Sequence, residues 1–238
     1  MKSSSSFSLS APLAVVADVE SQPGSWGQLL GSSVRAAVLV MLVTGIAYPL
    51  LTTGVAQAVF PQAANGSLVM RDGQIVGSAL IGQQFDAAAY FHGRPSATLG
   101  PDSAKEGASI ATPYNAGASG ASNQGVTHKD LAETVAARVA QYRADNGLAT
   151  GVSVPVDAVT ASASGLDPHI SPANAALQLP RVARERGLTL AQLQQLVRQS
   201  TEQRSLFFLG EPRVNVLQLN LALDALSKPV VTSAAAKE

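Results

Sequence analysis

The stretch AAVLVMLVTGIAYPLLTTGVAQAVF, residues 36–60, decides how this chain is organised. No charged side chain occurs between Arg35 and Arg71, and the apolar run fills most of that gap. At about 1.5 Å of rise per residue, a helix of this length crosses a hydrocarbon core of roughly 30 Å. The sequence therefore predicts one transmembrane helix over 34–60, followed by a large water-soluble domain.

The apolar run could also belong to a cleaved signal peptide, because Ala56-Gln57-Ala58 has the small-x-small form of a cleavage site. We favour an uncleaved anchor, since the run exceeds the usual apolar region of a signal peptide and a long segment precedes it. Arg35 flanks the run closely, whereas Arg71 lies farther away on the other side. The positive-inside rule then predicts a cytoplasmic N-terminus and an exported domain.

One face of the predicted span carries polar and small residues. Thr44, Tyr48 and Thr52 recur every four residues, and Gly54 and Ala58 form a small-xxx-small pair. Such patterns are typical of helices that pack against other membrane helices. We therefore predict that Thr44, Tyr48, Thr52 and Gly54 face a membrane partner.

Composition excludes several classes of function. The chain has 238 residues, of which 46% are hydrophobic and 13% charged, with a formal net charge of zero. A neutral balance gives no reason to expect nucleic acid as a partner. The chain has no Cys, which excludes disulfides, thiolate catalysis and zinc-thiolate sites.

Residues 61–228 mix strand and helix patterns, which predicts one α+β domain outside the cytoplasm. Residues 93–127 are loop-like, and the tails 1–33 and 229–238 are predicted to be flexible. The expected elements are a hairpin over 68–81, a helix over 127–146 capped by Thr127, a strand over 152–162, a helix from Ser171 to Arg186 that Pro180 kinks or splits, a helix that Thr189 opens, and a final element over 214–226 that favours helix over strand.

The densest polar cluster is SASGLDPHISP, residues 162–172. Ser164, Asp167 and His169 could form a triad, or Asp167 and His169 could bind a metal ion. Residues this close in a Pro-bounded turn rarely converge as a triad requires, and two ligands do not make a metal site. A strand-to-helix turn, in which Asp167 and Ser171 accept from backbone amides, explains the same residue types, so we predict no catalytic site here.

Two further loops carry candidate binding residues. The loop YFHGRPS, 90–96, could bind an anion or a partner, or it could be an ordered loop with its rings in the core, and both interpretations stay open. The Gly-rich stretch YNAGASGASNQ, 114–124, lacks the Lys of a Walker A motif, and no Rossmann fingerprint occurs in a strand-helix context. The sequence thus offers no nucleotide-binding motif.

Several segments, taken in order with the single N-terminal span, resemble the C subunit of the Kdp potassium-transporting ATPase. The resemblance covers roughly residues 35–226. Its segments are GSALIGQ (77–83), YFHGRPSA (90–97), SGASN (119–123), VP (154–155), VTASASGLDPHISP (159–172), RVA (181–183), LGEPRVNV (209–216) and LNLALD (219–224).

The resemblance implies an accessory, non-catalytic subunit of a bacterial inner-membrane complex that imports potassium at the expense of ATP. Its partners would be a channel-like subunit that selects potassium and a P-type subunit that hydrolyses ATP. The family's C subunit is required for assembly, has its soluble domain in the periplasm, and is proposed to raise the ATP affinity of the catalytic subunit. ATP and K⁺ would then belong to the complex, and this chain would bind no cofactor directly.

The resemblance also marks the loop residues expected to organise or contact the partner surface. These are Arg94, Asn123, Ser164, Asp167, His169, Glu211, Arg213 and Asn215. Two alternatives remain. The chain could be a membrane-anchored periplasmic hydrolase that uses Asp167 and His169, or a secreted binding protein that begins near Val59 after signal cleavage.

Overall fold

The computed structural model describes residues 25–227, which form two units, 25–60 and 61–227. Most of the predicted N-terminal tail and the whole predicted C-terminal tail lie outside the described residues. The first unit is helical and the second mixes helices with small sheets, so the predicted α+β class with one N-terminal apolar helix is confirmed.

The first unit is a helix of 34 residues, Trp26–Val59, with a mean hydropathy of 2.0 in its most apolar window. It consists of α1 (Trp26–Leu42), a π-helical turn (Val43–Ala47) and α2 (Tyr48–Val59). Among the described residues, it is the one helix long and apolar enough to cross a membrane. It begins before the predicted residue 34, because Ser25 caps it with an oxygen that accepts from the Gln28 amide at 3.4 Å.

The π-helical turn lies just before Pro49. The amide of Tyr48 donates to the carbonyl of Val43, five residues earlier, and Pro49 itself has no amide hydrogen. Thr44 Oγ1 donates to the Val40 carbonyl at 2.7 Å, and Thr52 Oγ1 donates to the Tyr48 carbonyl at 2.9 Å. The hydroxyls of Thr44 and Thr52, two of the predicted partner-facing residues, are therefore satisfied within their own helix.

The second unit contains five helices, seven short strands and one 3₁₀ turn within the described residues. The helices are α3 (Pro61–Ala64), α4 (Lys129–Asn146), α5 (Pro172–Arg186), α6 (Leu190–Gln199) and α7 (Val216–Ser227). The strands are β1 (Leu68–Arg71), β2 (Gln74–Ser78), β3 (Leu99–Pro101), β4 (Ser109–Ala111), β5 (His169–Ile170), β6 (Thr201–Glu202) and β7 (Arg213–Asn215).

The strands form three small antiparallel sheets. β1 and β2 make the predicted hairpin, whose turn residues Asp72 and Gly73 both have positive φ, 52° and 79°. β3 pairs with β4 inside the stretch predicted as loop. β7 is the central strand of the third sheet, with β5 on one side and β6 on the other.

In the core, α6 packs between α5 and α7, and both α5 and α7 contact β7. The buried apolar side chains of this cluster are Phe91, Ile170, Ala175, Leu179, Val182, Ala183, Leu193, Leu196, Val197, Val214, Val216, Leu219 and Leu223. On α6, Leu193, Leu196 and Val197 face the core, whereas Leu190 in the first turn is exposed.

Three predicted helices are present, with differences in detail. α4 begins after His128, whose Nδ1 accepts from the Asp130 amide at 3.3 Å, rather than after Thr127. The predicted ends of α5 are confirmed, with a Ser171 cap at one end and Gly187 at φ 64° at the other, but Pro180 does not split the helix. The helix favoured for the final element is confirmed as α7, and strand β7 passes directly into it.

The predicted strand over 152–162 was wrong. The structure has a 3₁₀ turn at Val156–Ala158 there and no strand. Pro155 supplies no amide hydrogen to a ladder, and Val156, which a buried strand would cover, is exposed. This segment instead positions Asp157 for the candidate site.

Candidate functional site

A cleft of about 520 Å³ brings together the turn after residue 162 and the chain around β7. Five of the predicted loop residues line it. The lining residues are Arg94, Val156, Asp157, Asp167, His169, Ile170, Ser171, Glu211, Pro212 and Arg213.

Acidic and basic side chains alternate along this cleft. Arg94 Nη1 donates to Asp167 Oδ2 at 3.0 Å, and Asp167 Oδ1 lies 3.3 Å from His169 Nδ1. His169 Nε2 lies 4.0 Å from Glu202 Oε2, which accepts from Arg213 Nε at 2.8 Å. Glu202 was not predicted, although it pairs with Arg213 across the β6–β7 ladder.

Asp167 has the role predicted for it in the turn. Its Oδ1 accepts from the His169 backbone amide at 3.0 Å. Burial opposes ionisation of this carboxyl, but the hydrogen bonds from His169 and the charge of Arg94 outweigh burial and lower its pKa. Asp167 is therefore a carboxylate at neutral pH and a fixed anchor of the turn.

Asp157 anchors the start of α5 and was missed by the sequence reading. Its carboxylate accepts from the Ser171 amide at 2.7 Å, from Ser171 Oγ at 2.9 Å and from Asn174 Nδ2 at 3.0 Å. Ser171 Oγ in turn accepts from the Asn174 amide at 3.1 Å, as the predicted cap requires. The segment predicted as a strand thus fixes the helix that follows the turn.

The Arg94 loop is ordered by burial on one side and by ion pairing on the other. Phe91 is fully buried, which favours the reading in which the loop's rings enter the core. Tyr114 OH donates to the Arg94 carbonyl at 2.7 Å, and burial raises the pKa of Tyr114 to about 12. Its ring lies so close to Gly82 that a Cβ there would be 2.3 Å from it.

Three predicted residues lie outside the cleft's lining. Ser164 Oγ accepts from the Leu166 amide at 3.1 Å, and within residues 25–227 no hydrogen bond joins it to His169, so the candidate triad is not assembled. Asn123 lies in the loop before α4 with a φ of 53°. Asn215 is buried, donates to the Ala79 carbonyl at 2.8 Å and caps α7.

A second polar group, which the sequence reading missed, surrounds residues 88–92, here called the clamped segment. Arg181 on α5 is only 2% exposed. Its guanidinium donates to the Ala88 carbonyl, to the Tyr90 carbonyl at 2.9 Å, to Asn146 Oδ1 at 3.0 Å and to Gln178 Oε1 at 2.7 Å. Burial lowers the pKa of Arg181, and all these acceptors are neutral.

Amide side chains bind the rest of the clamped segment as a neighbouring strand would. Gln178 accepts from the His92 amide at 2.8 Å and donates to the His92 carbonyl at 3.1 Å. Asn220 on α7 accepts from the Phe91 amide and donates to its carbonyl, both at 2.9 Å. The segment's backbone is therefore satisfied by side chains of two helices rather than by a sheet.

The charged side chains around the cleft are held by contacts with their neighbours. Arg94 pairs with Asp167 and Arg213 with Glu202, whereas Asp157 accepts from the neutral groups of Ser171 and Asn174. Among the described residues, no group of three or more His, Asp or Glu side chains could hold a metal ion. What the cleft offers is a fixed polar surface.

A family model described as "KdpC: K+-transporting ATPase, c chain" matches residues 30–225. The chain belongs to the KdpC family. The predicted resemblance is therefore confirmed, and the match includes both the apolar helix and the domain. Membership makes the chain a subunit of the potassium-transporting Kdp ATPase, and a subunit implies partner chains.

Curated relatives from three organisms support the same assignment, and each is named "Potassium-transporting ATPase KdpC subunit". A Rhodopseudomonas palustris (strain TIE-1) protein is 54% identical over 196 residues, covering 81% of this chain and 96% of the relative. A Bradyrhizobium diazoefficiens protein is 52% identical over 195 residues, covering 80% and 96%. A Methylobacterium nodulans protein is 51% identical over 200 residues, covering 84% and 98%.

Proposed function

We propose that this chain is the accessory, non-catalytic subunit that holds an ATP-driven potassium import complex together. The observation that carries the proposal is the family match, which runs through the apolar helix and the domain alike. A subunit with a catalytic role of its own would need an assembled set of reactive groups. The paired charges of the cleft support a binding role instead.

The proposed partners are a channel-like potassium-binding subunit and a P-type subunit that hydrolyses ATP. In the apolar window of Trp26–Val59, no residue is buried within the chain, as expected for a helix that faces lipid and partner helices. We assign Thr44, Tyr48, Thr52 and Gly54 to the partner-facing side. Because Thr44 and Thr52 already bond within the helix, close packing rather than hydroxyl bonding would drive this contact.

The proposed topology is a single pass through the bacterial inner membrane, with a cytoplasmic N-terminus and a periplasmic domain. ATP is then bound by the catalytic subunit and K⁺ by the channel-like subunit. Any effect of this chain on ATP affinity would pass through subunit contacts. Because the chain has no Cys, Lys129→Cys introduces a single thiol at an exposed position. A membrane-impermeant maleimide should label this thiol in intact spheroplasts. Labelling only after lysis would indicate the opposite orientation, with the domain in the cytoplasm.

The function is tested by purifying the full chain from its own membranes through a C-terminal tag in mild detergent. The proposal expects two large membrane subunits to co-purify and the preparation to hydrolyse ATP when potassium is added. Purification of this chain alone would contradict the proposal. A mature N-terminus near Val59 would instead identify a secreted protein.

A further inference from the structure

The chain between β6 and β7, residues 203–212, forms an arm with an apolar tip. Leu206, Phe207, Phe208 and Leu209 are 70%, 97%, 71% and 50% exposed. Single exposed apolar residues are ordinary on protein surfaces. Four in succession, two of them aromatic, form a contiguous patch of the kind that marks an interaction site.

The arm is a fixed structure rather than a loose loop. Ser205 and Leu209 exchange two backbone hydrogen bonds, each of 2.9 Å. Below them, Arg204 Nη2 donates to Glu211 Oε2 at 2.6 Å. At the base of the arm, the ion pair between Glu202 and Arg213 joins β6 to β7. These cross-strand contacts hold the tip out from the sheet.

The tip also carries backbone strain. Leu206 and Phe207 have φ values of 52° and 68°, in the left-handed region that branched and bulky side chains avoid. Two adjacent residues in this conformation keep their side chains pointing outward from a three-residue turn. Strained residues of this kind cluster at binding and switch regions.

We propose that the arm tip, residues 206–209, inserts into an apolar groove on a membrane-spanning partner subunit of the same complex. This inference rests on the proposed function, and it names the surface through which the domain would engage its partner. Aromatic side chains that fill a partner's pocket carry most of the binding energy in many interfaces.

Two features of the arm favour a protein groove over lipid. In the described part of the chain, the amides of Leu206, Phe207 and Phe208 have no hydrogen-bond acceptor, and hydrocarbon would leave them unsatisfied. A groove lined with carbonyl oxygens would accept from them. Each arginine of the arm and its base is paired with a glutamate, so the arm has no excess positive charge that would attract anionic headgroups.

The size of the tip argues against a second copy of the chain as its main occupant. At about 150–250 Å² for each buried phenylalanine, two tips in contact would bury less than the ~1,200–2,000 Å² of a stable interface. A contact of this size holds when another attachment has already raised the effective concentration of the partner. Membership in a multi-subunit membrane complex supplies that attachment.

The test compares Phe207→Ser/Phe208→Ser with Val126→Ser in the full chain. Val126 is 96% exposed and lies outside the arm, so Val126→Ser replaces an exposed apolar side chain with Ser without touching the tip. Both variants are expressed with the partner subunits and purified through the tag. We expect the amount of the two partner subunits that co-purifies with each tagged chain to fall about tenfold or more in the double variant, relative to wild type. The control should match wild type.

The outcomes separate this inference from the proposed function. If wild type co-purifies no partner subunit, the proposed function itself fails. If wild type and the double variant co-purify the same amounts, the proposed function stands and the arm contact is overturned. Because the only Trp of this chain is Trp26, Trp26→Phe/Phe207→Trp moves this chain's Trp to the tip. The complex that carries Trp26→Phe alone supplies the emission of the partner subunits, which is subtracted. Quenching by brominated lipid in the assembled complex would assign the tip to the bilayer, whereas a blue-shifted, unquenched emission supports the groove.

Discussion

The clamped segment, 88–92, and the arm, 203–212, differ in where their surroundings place polar and apolar side chains. The clamped segment is surrounded by buried polar side chains, with Arg181, Gln178 and Asn220 bonded to its backbone. The arm exposes four apolar side chains and pairs its charges below them. The comparison teaches that hydropathy alone misassigns both regions. Interior polarity serves folding here, and surface apolarity serves binding.

Breaking the clamp should give the largest effect. Arg181→Leu removes the donor to the buried Ala88 and Tyr90 carbonyls and to Asn146 Oδ1, so we expect a loss of about 3–5 kcal/mol in the free energy of unfolding. Urea denaturation of the purified full chain in detergent measures it. Arg184→Leu, on the exposed side of the same helix, is the control and should change stability by less than about 0.5 kcal/mol. Equal stability of both variants would refute the clamp.

The ion pairs of Asp224 hold the outer edge of the clamped segment and should give a smaller effect. Asp224 Oδ2 accepts from Arg71 at 2.8 Å, and Oδ1 accepts from Arg186 at 2.9 Å. Arg186 Nε also donates to the Ala89 carbonyl at 2.8 Å. Asp224→Asn should therefore cost about 1–3 kcal/mol at neutral pH, measured by the same denaturation.

The pH dependence of that difference has a definite sign. Burial opposes ionisation of Asp224, but hydrogen bonds from Arg71, Arg186 and Tyr90 outweigh it and lower its pKa. A lowered carboxyl pKa stabilises the fold above the unfolded value, and the contribution disappears as the pH falls through the folded value. The gap between wild type and Asp224→Asn should therefore shrink as the pH falls below about 4. A gap that widens there would contradict this assignment.

Relieving strain in the arm should raise stability. Asn tolerates the left-handed conformation, so Leu206→Asn and Phe207→Asn should each stabilise the chain by about 1 kcal/mol. The same denaturation checks this, with Val126→Ser as the control. If these variants also co-purify less of the partner subunits, the same substitutions would raise the stability of the chain and weaken its binding. A loss of stability above about 1 kcal/mol would mean that the tip contributes to folding.

The cleft should be the least sensitive region. His169→Gln weakens the contacts of this residue with Asp167 and Glu202, all three of which are partly exposed. We therefore expect the free energy of unfolding to change by less than about 1 kcal/mol. Potassium-stimulated ATP hydrolysis by the assembled complex should persist. If instead this chain hydrolysed a substrate of its own and the folded, assembled variant lost that activity completely, the result would support the alternative in which Asp167 and His169 form a hydrolase site.

Sequence reasoning succeeded where the signal is local. The Ser171 cap, Pro172 and Gly187 bound α5 because each satisfies a helix end by its own chemistry. The hairpin turn at Asp72 and Gly73 is local in the same way. The strands β5, β6 and β7 have two or three residues each, too few for a period of two to be read.

The remaining features depend on contacts distant in sequence. Arg181 reads as a surface arginine on a helix, and only the carbonyls of the clamped segment, some 90 positions away, make its burial possible. Val156 reads as part of a strand, but Asp157 is bound to Ser171 and the chain turns. The apolar run Leu206 to Leu209 carries no local signal of exposure, which depends on the backbone geometry of the turn.

Site-specific photocrosslinking at the tip tests the central contrast most directly. A photoreactive phenylalanine analogue is placed at Phe207, and at the exposed Lys129 on α4 as a control, in the full chain expressed with its partners. The account predicts a crosslink from position 207 to one membrane-spanning subunit of the same complex, with little or none from position 129. Equal crosslinking from both positions, or crosslinks from 207 only to lipid or to a second copy of the chain, would contradict it.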